Sequence, residues 1–331
     1  MKRSDFTWAA AVALLVLPLG AFAQVTEKPA RLAILEGGYS AATKPFEDAL
    51  LGELASLGRK EGVNLVVDRR YAEGKIERLP ELAVELVRLK PDVVLAPTRL
   101  ATEAALKATR SIPVVFTNFP DPVAAGVVAS LARPGGNATG FTQIPFEVTG
   151  KRLELLKEAV GHVVRLGALH SGDVTSLDDL EVLRESAKKL GIALVEAGAN
   201  QREAYEVAFA NFQRAKVDAV FVLTSIANVA NRHTISELAI RYRMATVHNN
   251  LVEVEAGGLL SYGADFLVLR RGAAHYVDRI LKGAKPADLP VQRPTTFVLG
   301  LNLKTARSIG RTIPQSLLIR ADRVIEWRIH E

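Results

Sequence analysis

Cysteine is absent from this chain of 331 residues, which rules out disulfides, thiolate metal centres, a nucleophilic thiol and a lipid anchor on an amino-terminal cysteine. Blocks of like charge are absent as well. The 42 Lys and Arg are interspersed with 36 Asp and Glu, so neither a basic stripe nor a reading helix for nucleic acid emerges. Past residue 23 no apolar run approaches the roughly 20 residues that a membrane-spanning helix needs. The 6 histidines, His162, His170, His233, His248, His275 and His330, form no His-Glu-x-x-His pair and no zinc spacing, and most read as surface or loop positions. His170, Ser171 and Asp173 supply the residue types of a hydrolytic triad, but neighbours in one loop cannot adopt relay geometry, and no Gly-x-Ser-x-Gly elbow surrounds the serine. Gly135-Gly136 precedes a strand rather than a helix, and Gly150-Lys151 lacks the rest of a phosphate loop. These absences leave no catalytic group, no metal site and no cofactor to expect.

What is present is order of another kind. Lys2 and Arg3, an apolar run from Trp8 to Leu19 and then Ala21-Phe22-Ala23 read as a secretory signal at 1–23, cleaved after Ala23. The formal charge of +6 includes a net +1 from Lys2, Arg3 and Asp5, which leaves +5 from Gln24 onward. The length suits two domains. From Arg31 strand-like and helix-like segments alternate, the pattern of βαβ units around parallel sheets. Strands are expected at 31–36, 63–69, 92–96, 113–117 and 138–142, then at 164–169, 193–196, 219–223, 245–247, 258–262 and 296–302, with a final segment at 317–326. Helices are expected between them, including one that starts at Pro122 with Asp121 as its cap. No short tandem repeat is visible.

The stretch Asp121-Pro122-Val123, the run Leu131-Ala132-Arg133-Pro134-Gly135-Gly136-Asn137-Ala138-Thr139-Gly140 and the run Gly150-Lys151-Arg152-Leu153-Glu154-Leu155-Leu156-Lys157-Glu158 carry a resemblance. So do Ala72-Glu73-Gly74, Ala256-Gly257-Gly258-Leu259, Ser261-Tyr262-Gly263 and the run from Ile280 to Val291. Together they resemble the substrate-binding component of a bacterial ABC transporter, in the family that includes tryptophan-binding members. The resemblance spans nearly all of the chain past the signal. It implies a type I periplasmic binding protein, an α/β fold of two doubly wound lobes with parallel sheets joined by a three-segment hinge. It also implies a small-molecule ligand, a permease with its ATPase as partner, and no nucleic acid. A monomer is expected. Without a lipid-anchoring cysteine, such a protein belongs in the periplasm of a cell with an outer membrane.

Crossovers are expected near Gly140, near Gly263 and after Lys285-Pro286, where glycine and proline let the chain bend. They divide the chain into a first lobe of 30–141 plus 264–291 and a second of 142–263 plus 292–327. Ligands of open α/β sheets bind beyond the carboxyl ends of the strands. That rule selects Tyr39, Ser40, Thr98, Arg99, Asn118 and Asp121 in the first lobe, Gln143 at the crossover, and His170, Thr224, Ser225, Asn249 and Tyr262 in the second. Glu73, Ser171 and Asn250 stand beside them. Arg99 has the planar fork for a ligand carboxylate, and Asp121 could take an ammonium, a pair that suits an amino acid. The expected mechanism is closure of the lobes on the ligand and delivery to the permease. The alternative is a sensing module that docks on a membrane receptor without transport.

Overall fold

The computed structural model describes residues 28–142 and 145–326, with the backbone alone at 145–147. The expected signal at 1–23 and Gln143 lie outside the described residues. The first half alternates β1 (Ala30–Glu36), α1 (Ser40–Ser56), β2 (Leu65–Tyr71), α2 (Leu79–Arg88), β3 (Val93–Leu95), α3 (Arg99–Ala108), β4 (Val114–Phe119) and β5 (Ala138–Thr142). These five strands form one parallel sheet in the order β2-β1-β3-β4-β5. Strands β1, β3, β4 and β5 are buried almost throughout because helices cover both faces of the sheet, whereas the edge strand β2 carries Asp68, Arg69 and Arg70.

The second half continues with α4 (Pro145–Val160), β6 (Arg165–His170), α5 (Val174–Lys189), β7 (Ala193–Gly198), α6 (Arg202–Arg214) and β8 (Ala219–Val222). Then come α7 (Ile226–Ala230), α8 (Arg232–Arg241), β9 (Ala245–His248), α9 (Leu251–Glu255) and β10 (Leu260–Ala264). The chain next makes α10 (Phe266–Leu281) and ends with β11 (Phe297–Asn302), α11 (Leu303–Ser308), α12 (Gln315–Arg320) and β12 (Arg323–Ile325). The second sheet has seven strands in the order β12-β11-β10-β9-β8-β6-β7. It is parallel except where β11 meets β10 antiparallel, and β12 follows β11. That reversal departs from an all-parallel expectation. It arises because α10 lies against the first sheet, so β11 re-enters the second sheet from the hinge side.

Helix α10 closes the core of the first lobe. Leu269, Ala273, Val277 and Ile280 pack with Leu32 and Ile34 of β1 and Leu50 and Leu54 of α1, and each large apolar side chain so buried contributes roughly 1.5–3 kcal/mol. Asp265 starts the helix by accepting from the amides of Leu267 and Val268 at 2.9 and 3.2 Å. Three chain segments therefore pass between the lobes, at the end of β5, between β10 and α10, and ahead of β11. Two of them are tied together: Thr142 N donates to Gln292 O and Gln292 N to Gly140 O, both at 2.9 Å. Gly140 has φ +146°, and a Cβ there would stand 1.9 Å from the Phe116 carbonyl oxygen of β4.

One local expectation fails for a physical reason. The segment after Asp121 makes turns rather than a helix, because Gly126 enters the left-handed region (φ +68°) one turn after Pro122. The final segment at 317–326 comprises the end of α12, a bend at Asp322 and β12, which lies in the second sheet. His248 also departs from the surface reading of the histidines. It is fully buried, with its ring nitrogens 3.2 Å from Glu253 Oε1 and 2.9 Å from Thr246 Oγ1. Among the described residues no helix is long and apolar enough to cross a membrane.

Candidate functional site

The carboxyl ends of β1, β3 and β4 in one lobe face those of β8 and β9 in the other across a cavity of about 110 Å³. Of the residues selected from the strand ends, Thr98, Arg99, Asn118, Thr224, Ser225 and Asn249 line it, with Asn250 beside them. Asp121 lines an adjoining chamber, whereas Tyr39, Ser40, His170 and Tyr262 line neither. Tyr39 is 44% exposed at the start of α1, where the Ser40 amide donates to Glu73 Oε1 at 3.2 Å. Glu73 itself has φ +51°. Tyr262 stacks on Phe297 with ring centres 5.9 Å apart. Ser171 Oγ donates to Asp173 Oδ2 at 2.6 Å, and Asp173 caps α5 by accepting from the Ser176 amide. The loop thus forms a helix cap with no serine–histidine relay.

Two charged residues that strand-end reasoning missed stand in the same wall. Glu36, the last residue of β1, accepts from Arg270 Nη2 of α10 at 2.8 Å, and both are more than nine-tenths buried. Burial pushes the Glu36 carboxyl above the ordinary carboxylate value, and the Arg270 guanidinium partly offsets that push. The guanidinium carbon lies 5.9 Å from the Phe46 ring centre, and Phe46 meets Phe266 edge to face at 6.3 Å. Arg270 had a signal: it occupies an apolar-face position of α10, three residues before Ala273 and seven before Val277.

Five buried polar atoms on this wall have no hydrogen-bond partner among the described residues. They are Thr98 Oγ1, Asn118 Oδ1 and Arg270 Nη1 from the first lobe and the side-chain amide nitrogens of Asn249 and Asn250 from the second. Burying such a group unpaired costs about 1–3 kcal/mol, so native structures rarely gather them without a use. The wall therefore offers donors and acceptors from both lobes beside an aromatic face. Arg99 is already engaged, giving Nε to Glu103 and Nη1 to Asp178 of α5, both at 2.9 Å, so it bridges the lobes.

Residues 28–325 match the family described as ABC transporter substrate binding protein. The chain belongs to that family. A tyrosine-binding protein of Clostridioides difficile is 28% identical over 257 residues, which cover 77% of this substrate-binding protein and 74% of the relative. A conserved domain protein from Vibrio cholerae superposes with TM-score 0.83 at 30% identity, covering 90% of this chain and all of that one. An ABC domain from Streptococcus pneumonia, solved with L-Trp, gives TM-score 0.81 at 27% identity and the same coverage. The family is one of binding proteins rather than enzymes, and the two-lobed type I fold is common to these structures.

A second contact joins the lobes of this binding protein near the cavity. Ile226 at the start of α7 lies against Gly37 and Gly38, so that a Cβ on Gly37 would be 2.7 Å from Ile226 Cδ1. Valine at 37 is expected to hold the lobes apart and weaken ligand binding at least tenfold, about 1.4 kcal/mol, with an unchanged circular dichroism spectrum. Adding Ile226→Ala should restore affinity; failure to do so would place the defect elsewhere.

Proposed function

We propose that this protein captures one amino acid in the smaller chamber, in the periplasm, and delivers it to an ABC permease. The observation that carries the reading is the buried Glu36–Arg270 pair beside Phe46 and Phe266, ringed by unpaired polar groups of both lobes. A ligand carboxylate would take Arg270 Nη1 and the amides of Asn249 and Asn250. Its ammonium would approach Glu36, and an apolar or aromatic side chain would lie along Phe46 and Leu100. The tyrosine-binding relative and the L-Trp complex support the amino-acid class. Because groups from both lobes serve one ligand, the ligand favours the closed form by its differential affinity for it, and a permease can recognise that form.

The test is a thermal-shift panel of amino acids, sugars and nucleosides on protein unfolded and refolded to strip carried-over ligand. An amino acid at about 100 times its Kd should add about 2.7 kcal/mol, a shift of several degrees. A response to sugars or nucleosides alone would refute the assignment. Deletion of the permease gene should abolish uptake of the amino acid that binds; uptake that persists undiminished would count against delivery.

A further inference from the structure

The cleft does not end at Arg99. Beyond the Arg99–Asp178 bridge lies a larger chamber of about 680 Å³, walled by Asp121 and Ala125 of the first lobe and by Arg152 and Glu185 of the second. Arg152 belongs to α4 and is 3% exposed. Its guanidinium carbon lies 5.1 Å from the Phe221 ring centre. Its Nη2 donates to Thr149 Oγ1 at 2.9 Å and stands 3.5 Å from Asp179 Oδ1.

Arginine–carboxylate pairs are frequently bidentate, two parallel N–H groups serving one carboxylate. Here Asp179 is occupied by other donors, accepting from Thr149 Oγ1 at 2.5 Å and from the amide and hydroxyl of Thr224 at 3.1 and 2.9 Å. Arg152 Nε and Nη1 are left without a partner among the described residues. Two N–H donors on a buried, planar cation suit a carboxylate. The acidic groups around the chamber do not oppose this uniformly. Asp178 is paired with Arg99 and Glu181 with Arg184. Asp121 and Glu185 have no ion pair among the described residues, and Asp121 uses one oxygen, Oδ1, for the amides of Val123 and Ala124. A positive group is favoured near those two carboxylates, and a negative one at Arg152.

We infer that the larger chamber binds a second zwitterion of the amino-acid class, its carboxylate on Arg152 and its ammonium toward Asp121 and Glu185. The Arg99–Asp178 bridge stands between the chambers, so the cleft holds two molecules side by side rather than one long one. This takes its ligand class from the proposed function, but its site is independent of the Glu36–Arg270 pair.

Fluorine NMR of the full chain with millimolar para-fluoro-L-phenylalanine separates the two. Two bound resonances are expected; Arg152→Met should abolish one and Arg270→Met the other. Ala125→Phe fills the chamber from an exposed loop without touching the fold of α4, and should abolish the same resonance as Arg152→Met, which keeps the test decisive if the arginine variant does not fold. A single bound resonance that persists in Arg152→Met and Ala125→Phe, none at all, or two that survive Ala125→Phe would overturn the inference. A surviving Arg152-dependent resonance with no Arg270-dependent one would instead refute the amino-acid reading of the smaller chamber and leave the second site standing.

Discussion

Alanine at position 140 should leave little folded protein. Gly140 combines φ +146° with a Cβ position 1.9 Å from the Phe116 carbonyl oxygen, and the obstacle is backbone inside a sheet rather than a side chain that can turn away. Relief requires parting β4 from β5 where the chain also pairs with Gln292 across the hinge. A loss of more than about 4 kcal/mol is expected, which belongs to the small class of severe substitutions. Urea unfolding followed by tryptophan-independent circular dichroism measures it. A loss below about 1 kcal/mol would mean the strands separate at little cost.

Methionine in place of Arg270 should destabilise the protein while leaving it folded, and its effect should depend on pH. Breaking a buried pair by removing one partner costs about 3–5 kcal/mol when the remaining charge stays, but Glu36 can escape by taking a proton. In the folded protein its carboxyl already sits above the ordinary value, so the folded state holds that proton more tightly than the unfolded chain does. Stability therefore falls as pH rises from the ordinary carboxylate range through the raised folded value. Without Arg270 the folded value rises further, so the fall should be larger and extend to higher pH. Ligand binding should drop at the same time. Urea unfolding across a pH series is the measurement, and Glu36→Gln in the Arg270→Met background should remove the added slope. An equal slope in both variants would show that another group carries it.

The plan of the fold was legible because its signals are periodic. The apolar run at 31–36 and the helical spacing of Phe46, Leu50 and Leu54 each identify an element, and β1 and α1 stand there. Strand direction leaves no trace in such patterns, so the antiparallel entry of β11 could not be read. Helices α7 and α9 have five residues each, too few to establish a period. In the candidate site, loop residues were easier to select than Glu36, Arg152 and Arg270. A charged residue on an apolar face looks like an interruption of the pattern until its buried counterpart, 234 residues away for Arg270 and Glu36, is known.

The placement of α10 has a consequence for how the protein is made. The first lobe lacks Leu269, Ala273 and Val277 from its core, and Arg59 lacks its partner Asp278 219 residues downstream, until most of the chain exists. Domains usually fold as units as synthesis proceeds from the amino terminus. Here the ribosome must pass residue 281 before the earliest strands can be fully covered, so the first half emerges with Leu32, Ile34, Leu50 and Leu54 still waiting for their cover. A chain truncated before Phe266 should consequently be sticky rather than half-functional, and any chaperone that attends this protein would find its binding sites near the beginning of the sequence.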